Sequence, residues 1–410
     1  MSHIAMITYG TRGDVQPFIA LALRLATIGQ RAVIAAPRRY AALVLRHGIG
    51  FVPLSGDPSR LMDDLIARAG SNPLLLASIV SQFVLPLASE VMAGVRRACA
   101  GARLILHSFL LHTGAHAIAR ELGVPDMAVE FFPVLAPTGA FASPGFAPLP
   151  LGPGYNRLTH QMLAAMVWRV TRLGFGRVAG QPSMPRSIRW AFGDDAPVTQ
   201  LHAISPQLLP RPNDWPAHAL LTGAWVMPQQ LAVEAELARF VAHGPPPVVI
   251  TLGSMAGSRA GSAALAAIVA ARAGGRRVVA LGTGDAVRAD AAVFAAAEAD
   301  HGWLLPRAAV IVHHGGAGTT DAAARAGVPQ VIMPLAADQP FWGERVAALG
   351  VGPPPLVLRR RTPQHVAAAL QRALAPETVA RAAALGAAMR GEDGIAVAMA
   401  AMDAAIERGR

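Results

Sequence analysis

The run His313-His314-Gly315-Gly316-Ala317-Gly318-Thr319-Thr320 constrains the fold more than any other stretch of the 410 residues. Apolar residues 309–312 lead into it, and an alanine-rich helical pattern over 321–326 follows. A strand, a glycine turn and a helix start in that order predict one unit of an α/β sheet. Such a turn offers main-chain N–H groups and the positive end of a helix dipole to an anion. Glycine is needed where a phosphate oxygen must approach the backbone with no Cβ in the way. The run is not a P-loop, since the lysine of Gly-x-x-x-x-Gly-Lys is missing, nor does it match the Gly-x-Gly-x-x-Gly that follows a first strand. Gly327-Val328-Pro329 ends the helix, and 330–334 reads as the next buried strand. Asp338 and Gln339 stand just beyond it, at the edge where open α/β sheets hold ligands. An acid beside an amide suits sugar hydroxyls; the pair also suits an ordinary polar loop.

The same alternation recurs along the chain. Residues 3–8, 31–36, 51–54, 103–107 and 127–130 read as strands with helices between them, and 248–252 and 278–282 restart the pattern before the glycine run. A proline-rich stretch from 206 separates the two halves. Length agrees, because 410 residues suit two domains of roughly 200. Two Rossmann-like domains facing a cleft suit a reaction of two substrates. Residues 133–153 form a Pro- and Gly-dense loop too long for a simple connection, which predicts a binding loop. With Phe141 and Phe146 in it, and the apolar segment 74–95, a lipophilic pocket is expected.

Composition narrows the setting. No run of eighteen apolar residues is uninterrupted; the strongest candidate, 73–95, is broken by Ser78, Ser81, Gln82, Pro86 and Glu90, which predicts a buried or surface-lying helix rather than a span. No basic segment precedes an apolar run at the N-terminus, so a cytoplasmic protein without a secretory signal is expected. One cysteine, Cys99, rules out an internal disulfide and a cysteine metal cage. Every one of the 36 basic residues is arginine, against 25 acids. From 131 to 193 there is no acid, while Arg157, Arg169, Arg172, Arg177, Arg186 and Arg189 alternate with Trp168 and Trp190. That stretch suits either a solvated helix face or peripheral contact with anionic lipid. No nucleic-acid recognition motif accompanies it.

The first turn holds the other chemical candidate. Arg12-Gly13-Asp14-Val15-Gln16-Pro17 follows the first strand and leads into a helix, with Pro17 suited to its first helical position. Asp14 there fits two roles, an N-cap or a carboxylate base. Helix N–H groups nearby are expected to keep its pKa low, making a modest base that takes a proton as an acceptor oxygen attacks.

Together with Trp303, Ala326-Gly327-Val328-Pro329-Gln330 and Pro334-Leu335-Ala336-Ala337-Asp338-Gln339-Pro340-Phe341, the glycine run resembles the donor signature of nucleotide-diphospho-sugar glycosyltransferases. The branch is that of sterol, flavonoid and antibiotic-aglycone enzymes. The resemblance implies a GT-B fold, an inverting mechanism, no metal and no cofactor besides the nucleoside-diphosphate sugar itself. Residues 1–205 would bind the acceptor, 206–245 link the domains, and 246–410, with C-terminal helices, bind the donor. His314 and the N–H groups of Gly316, Gly318 and Thr319 would neutralise the diphosphate. Ser254 would add a phosphate contact, and Asp338 and Gln339 would hold a hexose. Trp303 would stack on the base, with core packing as its other role. The resemblance favours Asp14 as the base, since bacterial and sterol-type members carry aspartate there, where plant flavonoid enzymes have histidine. Those enzymes orient their histidine with a second aspartate; here Ser108 stands at the matching place, so Asp14 would act without a relay. Arg12, His107, His112 and Phe141 are expected at the acceptor, the two histidines having a structural role as their alternative.

One departure leaves UDP and dTDP donors equally open. Plant members hold the ribose with a glutamate eight residues beyond the phosphate histidine. This chain has Ala322 there, and Asp321 lies about 100° away around a helix. The acceptor is expected to be a sterol, polyketide, flavonoid or lipid alcohol. Two other activities fit the same architecture: an auxiliary protein for a partner transferase, and a nucleotide-sugar 2-epimerase.

Overall fold

The computed structural model describes residues 2–57, 73–175, 198–228, 233–252, 258–283, 290–357 and 362–408. Ser254, Arg177, Arg186, Arg189 and Trp190 lie outside the described residues. The chain forms two compact units: Met1–Pro206, Pro210–Met227 and Asp393–Arg410 make the first, Gln207–Leu209 and Pro228–Glu392 the second.

The first unit contains β1 (His3–Ile7), β2 (Ala32–Pro37), β3 (Gly50–Leu54), β4 (Ala102–Ser108), β5 (Asp126–Glu130), β6 (Thr199–His202) and β7 (Ala219–Leu221), with helices α1 (Arg12–Ala26), α2 (Ala41–Leu45), α3 (Pro73–Cys99), α4 (His112–Leu122) and α5 (Gly152–Phe175). The strands form one parallel sheet in the order β3-β2-β1-β4-β5-β6-β7. Side chains alternate across it. Ile4 and Met6 pack with Phe18, Ile19 and Leu25 of α1, whereas Ala5 and Ile7 pack with Val91, Met92 and Val95 of α3. Burial on both faces is why β1 reads as an apolar run, and each such large side chain contributes about 1.5–3 kcal/mol.

The second unit contains β8 (Val248–Thr251), β9 (Val278–Leu281), β10 (Val293–Ala296), β11 (Val310–His313) and β12 (Gln330–Ile332). Its helices are α6 (Ala235–Ala242), α7 (Ser258–Ala273), α8 (His301–Leu304), α9 (Ala317–Ala326), α10 (Gln339–Ala348), α11 (Pro363–Ala373) and α12 (Pro376–Arg390). These strands too are parallel, ordered β10-β9-β8-β11-β12.

Two boundaries differ from those drawn on the sequence. The expected linker, 206–245, holds a strand of the first sheet, β7, and a helix of the second unit, α6. A final helix, α13 (Gly394–Arg408), belongs to the first unit rather than to the donor half, because Ile395, Ala398 and Met402 join the core cluster of Phe18 and Leu25. Among the described residues no helix is long and apolar enough to cross a membrane. Of the arginines in the acid-free stretch, Arg157 pairs with Asp214 at 2.8 Å and Arg172 lies over the Trp168 ring at 5.0 Å.

Candidate active site

Strand β11 ends at His313, and α9 begins at Ala317 with Gly316 as its N-cap. His313 is fully buried. Its Nδ1 accepts the Gly315 N–H at 3.1 Å and its Nε2 lies 3.0 Å from Gln330 Oε1, while Gln330 Nε2 donates to the Thr320 carbonyl at 3.3 Å. This chain of bonds ties the glycine turn to β12 and uses the Gly315 amide internally. Gly315 itself adopts φ +90°, with Ile332 and the Gln339 carbonyl too close for a side chain. Gly316 is required for a different reason: the His314 ring folds over it, and a Cβ there would meet Nε2. At Gly318 a Cβ would meet nothing. The first-turn amides of α9, at Ala317, Gly318 and Thr319, precede the helix's own bonding pattern, as in any helix start.

Burial lowers the His314 pKa to about 4, with nearby His301 adding to the effect. Burial lowers that of His313 to about 3, with His314 adding to it. Both rings are therefore neutral at pH 7, and His314 can act on an anion as a hydrogen-bond donor rather than as a cation. His301, which the sequence reading missed, opens α8 and brings a third imidazole near the turn.

Trp303 sits on α8, its N–H bonded to Asp300 Oδ1 at 3.0 Å. Half-buried, it lines a pocket of about 210 Å³ with Leu237, Glu234, Glu298 and Asp300. The Arg307 guanidinium covers the ring at 4.6 Å. Of the two roles expected of Trp303, the structure shows core packing, since its ring packs on the cluster around Leu304 and Leu305. Asp321 is committed elsewhere. It lies 3.6 Å from Arg325, which lies 3.5 Å from Glu392, and burial raises the Asp321 pKa to about 6.

Asp338 and Gln339 start α10. Asp338 Oδ2 accepts the Trp342 indole N–H at 2.8 Å. Gln339 is buried, and its Oε1 accepts the N–H groups of Leu335 at 2.5 Å and Ala336 at 3.0 Å. These bonds fix a loop in which Ala337 adopts φ +56°.

In the first unit, Thr11 and not Asp14 is the N-cap of α1. Asp14 lies in the first turn, where its Oδ2 accepts the Thr11 N–H at 2.6 Å and the Thr11 hydroxyl at 3.0 Å. A side chain at Gly10 would run into that carboxylate. The expected low pKa does not hold: loss of water raises it, and the bonds from Thr11 only reduce the rise. Ser108 Oγ donates to Thr8 Oγ1 at 3.2 Å, and Thr8 Oγ1 to the Asp14 carbonyl at 3.3 Å. The hydroxyl at the relay position therefore reaches the main chain of Asp14. Arg12, not Pro17, takes the first position of α1 and is partly exposed, and Pro17 lies inside the helix.

His107 and His112 are structural by their contacts. His107 Nε2 and His116 Nδ1 each lie 2.7 Å from Asp126 Oδ2, and His112 Nδ1 lies 3.3 Å from His107 Nδ1. Burial alone would raise the Asp126 pKa, but the two imidazoles hold it well below the usual range. Burial, then the neighbouring His107 and His116, lowers that of His112. The acceptor role expected of His107 fails on burial, since none of its surface is exposed. Phe141 is partly exposed and meets the His160 ring edge-on at 5.7 Å.

Comparison with known proteins decides the family. Residues 4–85 match the Glycosyltransferase family 28 N-terminal domain, and 285–393 match the Erythromycin biosynthesis protein CIII-like C-terminal domain. The chain is 34% identical to O-mycaminosyltylonolide 6-deoxyallosyltransferase of Streptomyces fradiae, over 96% of this chain and 95% of that one. It is 35% identical to vancomycin aglycone glucosyltransferase of Amycolatopsis orientalis, over 99% and 98%. The chain belongs to this glycosyltransferase family. The fold of the glycosyltransferase is GT-B: the crystal structure of glycosyltransferase VinC in complex with dTDP matches at TM-score 0.70 and 20% identity, covering 99% of this chain and all of that one. Among the described residues of the glycosyltransferase, no three His, Cys, Asp or Glu side chains gather as a metal site.

Proposed function

We propose that the enzyme transfers a hexose from a UDP- or dTDP-sugar to a hydroxyl of a lipophilic acceptor, with inversion and without a metal. The observation that carries this is the turn at 314–319: a neutral imidazole folded over Gly316 and the open first turn of α9, next to a Gly318 that protein packing does not require. In the proposed reaction the acceptor oxygen attacks the anomeric carbon opposite the diphosphate. The bond to the β-phosphate oxygen breaks, and its electron pair leaves with the nucleotide. Asp14 takes the hydroxyl proton; its raised pKa makes it a stronger base than an ordinary carboxylate. His314 and the α9 amides, including those of Gly318 and Thr319, stabilise the departing charge, each such donor contributing about 3 kcal/mol in comparable sites. Asp338 meets the sugar from the start of α10, beside a loop that the buried Gln339 fixes through the Leu335 and Ala336 amides, and Trp303 offers the base the ring face that Arg307 leaves.

The substrates named in the relatives, vancomycin aglycone and O-mycaminosyltylonolide, support a natural-product acceptor, and dTDP in the related structure supports a nucleotide site. The test is incubation of pure protein with UDP- and dTDP-hexoses and a panel of those two acceptors with a sterol and a flavonoid, in excess chelator. Transfer with inverted anomeric configuration is expected. A changed free sugar nucleotide would point to an epimerase, no reaction of either kind to an auxiliary role, and activity restored only by manganese would overturn the metal-free mechanism.

A further inference from the structure

Between β5 and α5 lies the long segment that the sequence marks as a binding loop. It contains no strand or helix, yet two acidic side chains grip it. Glu130, the last residue of β5, is buried and accepts the N–H groups of Val134 at 3.1 Å and Leu135 at 3.0 Å. His202 Nδ1, from the end of β6, lies 3.3 Å from the same carboxylate, and its ring stacks on Trp215 at 4.3 Å. Farther along, Asp214 accepts the Thr138 hydroxyl at 2.6 Å, the Gly139 N–H at 2.8 Å and the Arg157 guanidinium at 2.8 Å. From α5, Asn156 donates to the Gly139 carbonyl at 2.8 Å, and Thr159 Oγ1 accepts the Ser143 N–H at 2.8 Å.

The segment is therefore held from below, from β6–β7 and from α5. It leaves the C-terminal edge of a parallel sheet, where ligands of such sheets bind, and it carries the partly exposed Phe141 and Phe146. Burial pushes Glu130 up to about 8, with the Val134 and Leu135 amides pulling the other way, so the side chain accepts those amides while uncharged at neutral pH.

We propose that Glu130 and Asp214 are positioning residues that hold residues 131–147 as a preformed wall of the acceptor subsite. This rests on the first unit's being the acceptor-binding one. A wall ordered in advance spares the acceptor the cost of ordering it, so loosening it weakens acceptor binding and leaves the donor and the chemical step alone.

The experiment compares Glu130→Ala, Glu130→Gln, Asp214→Ala and Asp214→Asn with wild type, by amide hydrogen exchange over 131–147 and by kinetics with the acceptor panel. Exchange in this segment should speed up in both alanine variants. Their acceptor KM should rise about tenfold, the effect of losing hydrogen bonds of this kind, with kcat and donor KM within about twofold. Glu130→Gln and Asp214→Asn keep a carbonyl acceptor and should recover most of the loss. Asp214 is exposed, so its variants should fold even where Glu130→Ala does not. Faster exchange with an unchanged acceptor KM, or unchanged exchange, overturns the proposal alone; a wild-type protein that transfers to no acceptor overturns the transferase reading with it.

Discussion

Gly316 and Gly318 stand two positions apart and answer to different demands. Gly316 makes room for His314 Nε2, whereas Gly318 faces open space. Alanine at 318 should therefore stabilise α9 by roughly 0.5–1 kcal/mol while weakening UDP and dTDP binding, because its methyl intrudes on an approaching phosphate. Thermal melting and calorimetric titration check the two signs, and unchanged nucleotide affinity would remove the turn from the site. Asp14→Asn should abolish transfer with nucleotide affinity intact. Since burial raises the Asp14 pKa above 3.8, its basic form predominates only above that raised value. The acid limb of kcat/KM should accordingly fall above the ordinary carboxylate range, and a limb at or below it would exclude Asp14 as the base.

At the scale of elements, β11, the glycine turn and α9 were legible because an apolar run, three glycines and an alanine-rich helix agree with one another. The role of Gln339 was not. Its Oε1 serves the Leu335 and Ala336 amides, a demand set by the path of a loop with Ala337 in the left-handed region, which composition does not encode. Gln339→Ala should cost about 1–3 kcal/mol by leaving buried amides without an acceptor, and Gln339→Glu should restore much of it; chemical denaturation measures both. Strand β6 escaped notice because Gln200 and His202 interrupt its apolar pattern while still buried. His107 was misread because Asp126, its partner, arrives from the neighbouring strand, nineteen residues on. In the same way, the bonds from Thr11 to Asp14 follow from local sequence, but the water lost around that carboxylate follows from tertiary packing.

Across the whole molecule, pH acts on stability through buried acids of opposite sign. Glu130 has its pKa raised from 4.5 to about 8, so its contribution is complete below 4.5 and disappears as pH rises through about 8. Asp126 is lowered from 3.8, so its contribution is present above 3.8 and disappears in acid. Melting temperature should fall between about pH 5 and 8 in wild type and fall less in Glu130→Gln; parallel curves would remove Glu130 from that limb.

Helix α13 has a consequence for recombination. It completes a hydrophobic layer begun about 370 residues earlier, at Phe18 and Leu25, so deleting 393–410 should expose that layer and remove a large share of the about 5–15 kcal/mol that holds a domain folded, seen as loss of cooperative melting. Hybrids that borrow a relative's second unit accordingly need two splice points, near 227 and near 392. A single crossover would import a foreign helix onto the native layer, and its misfit would masquerade as a change in substrate preference.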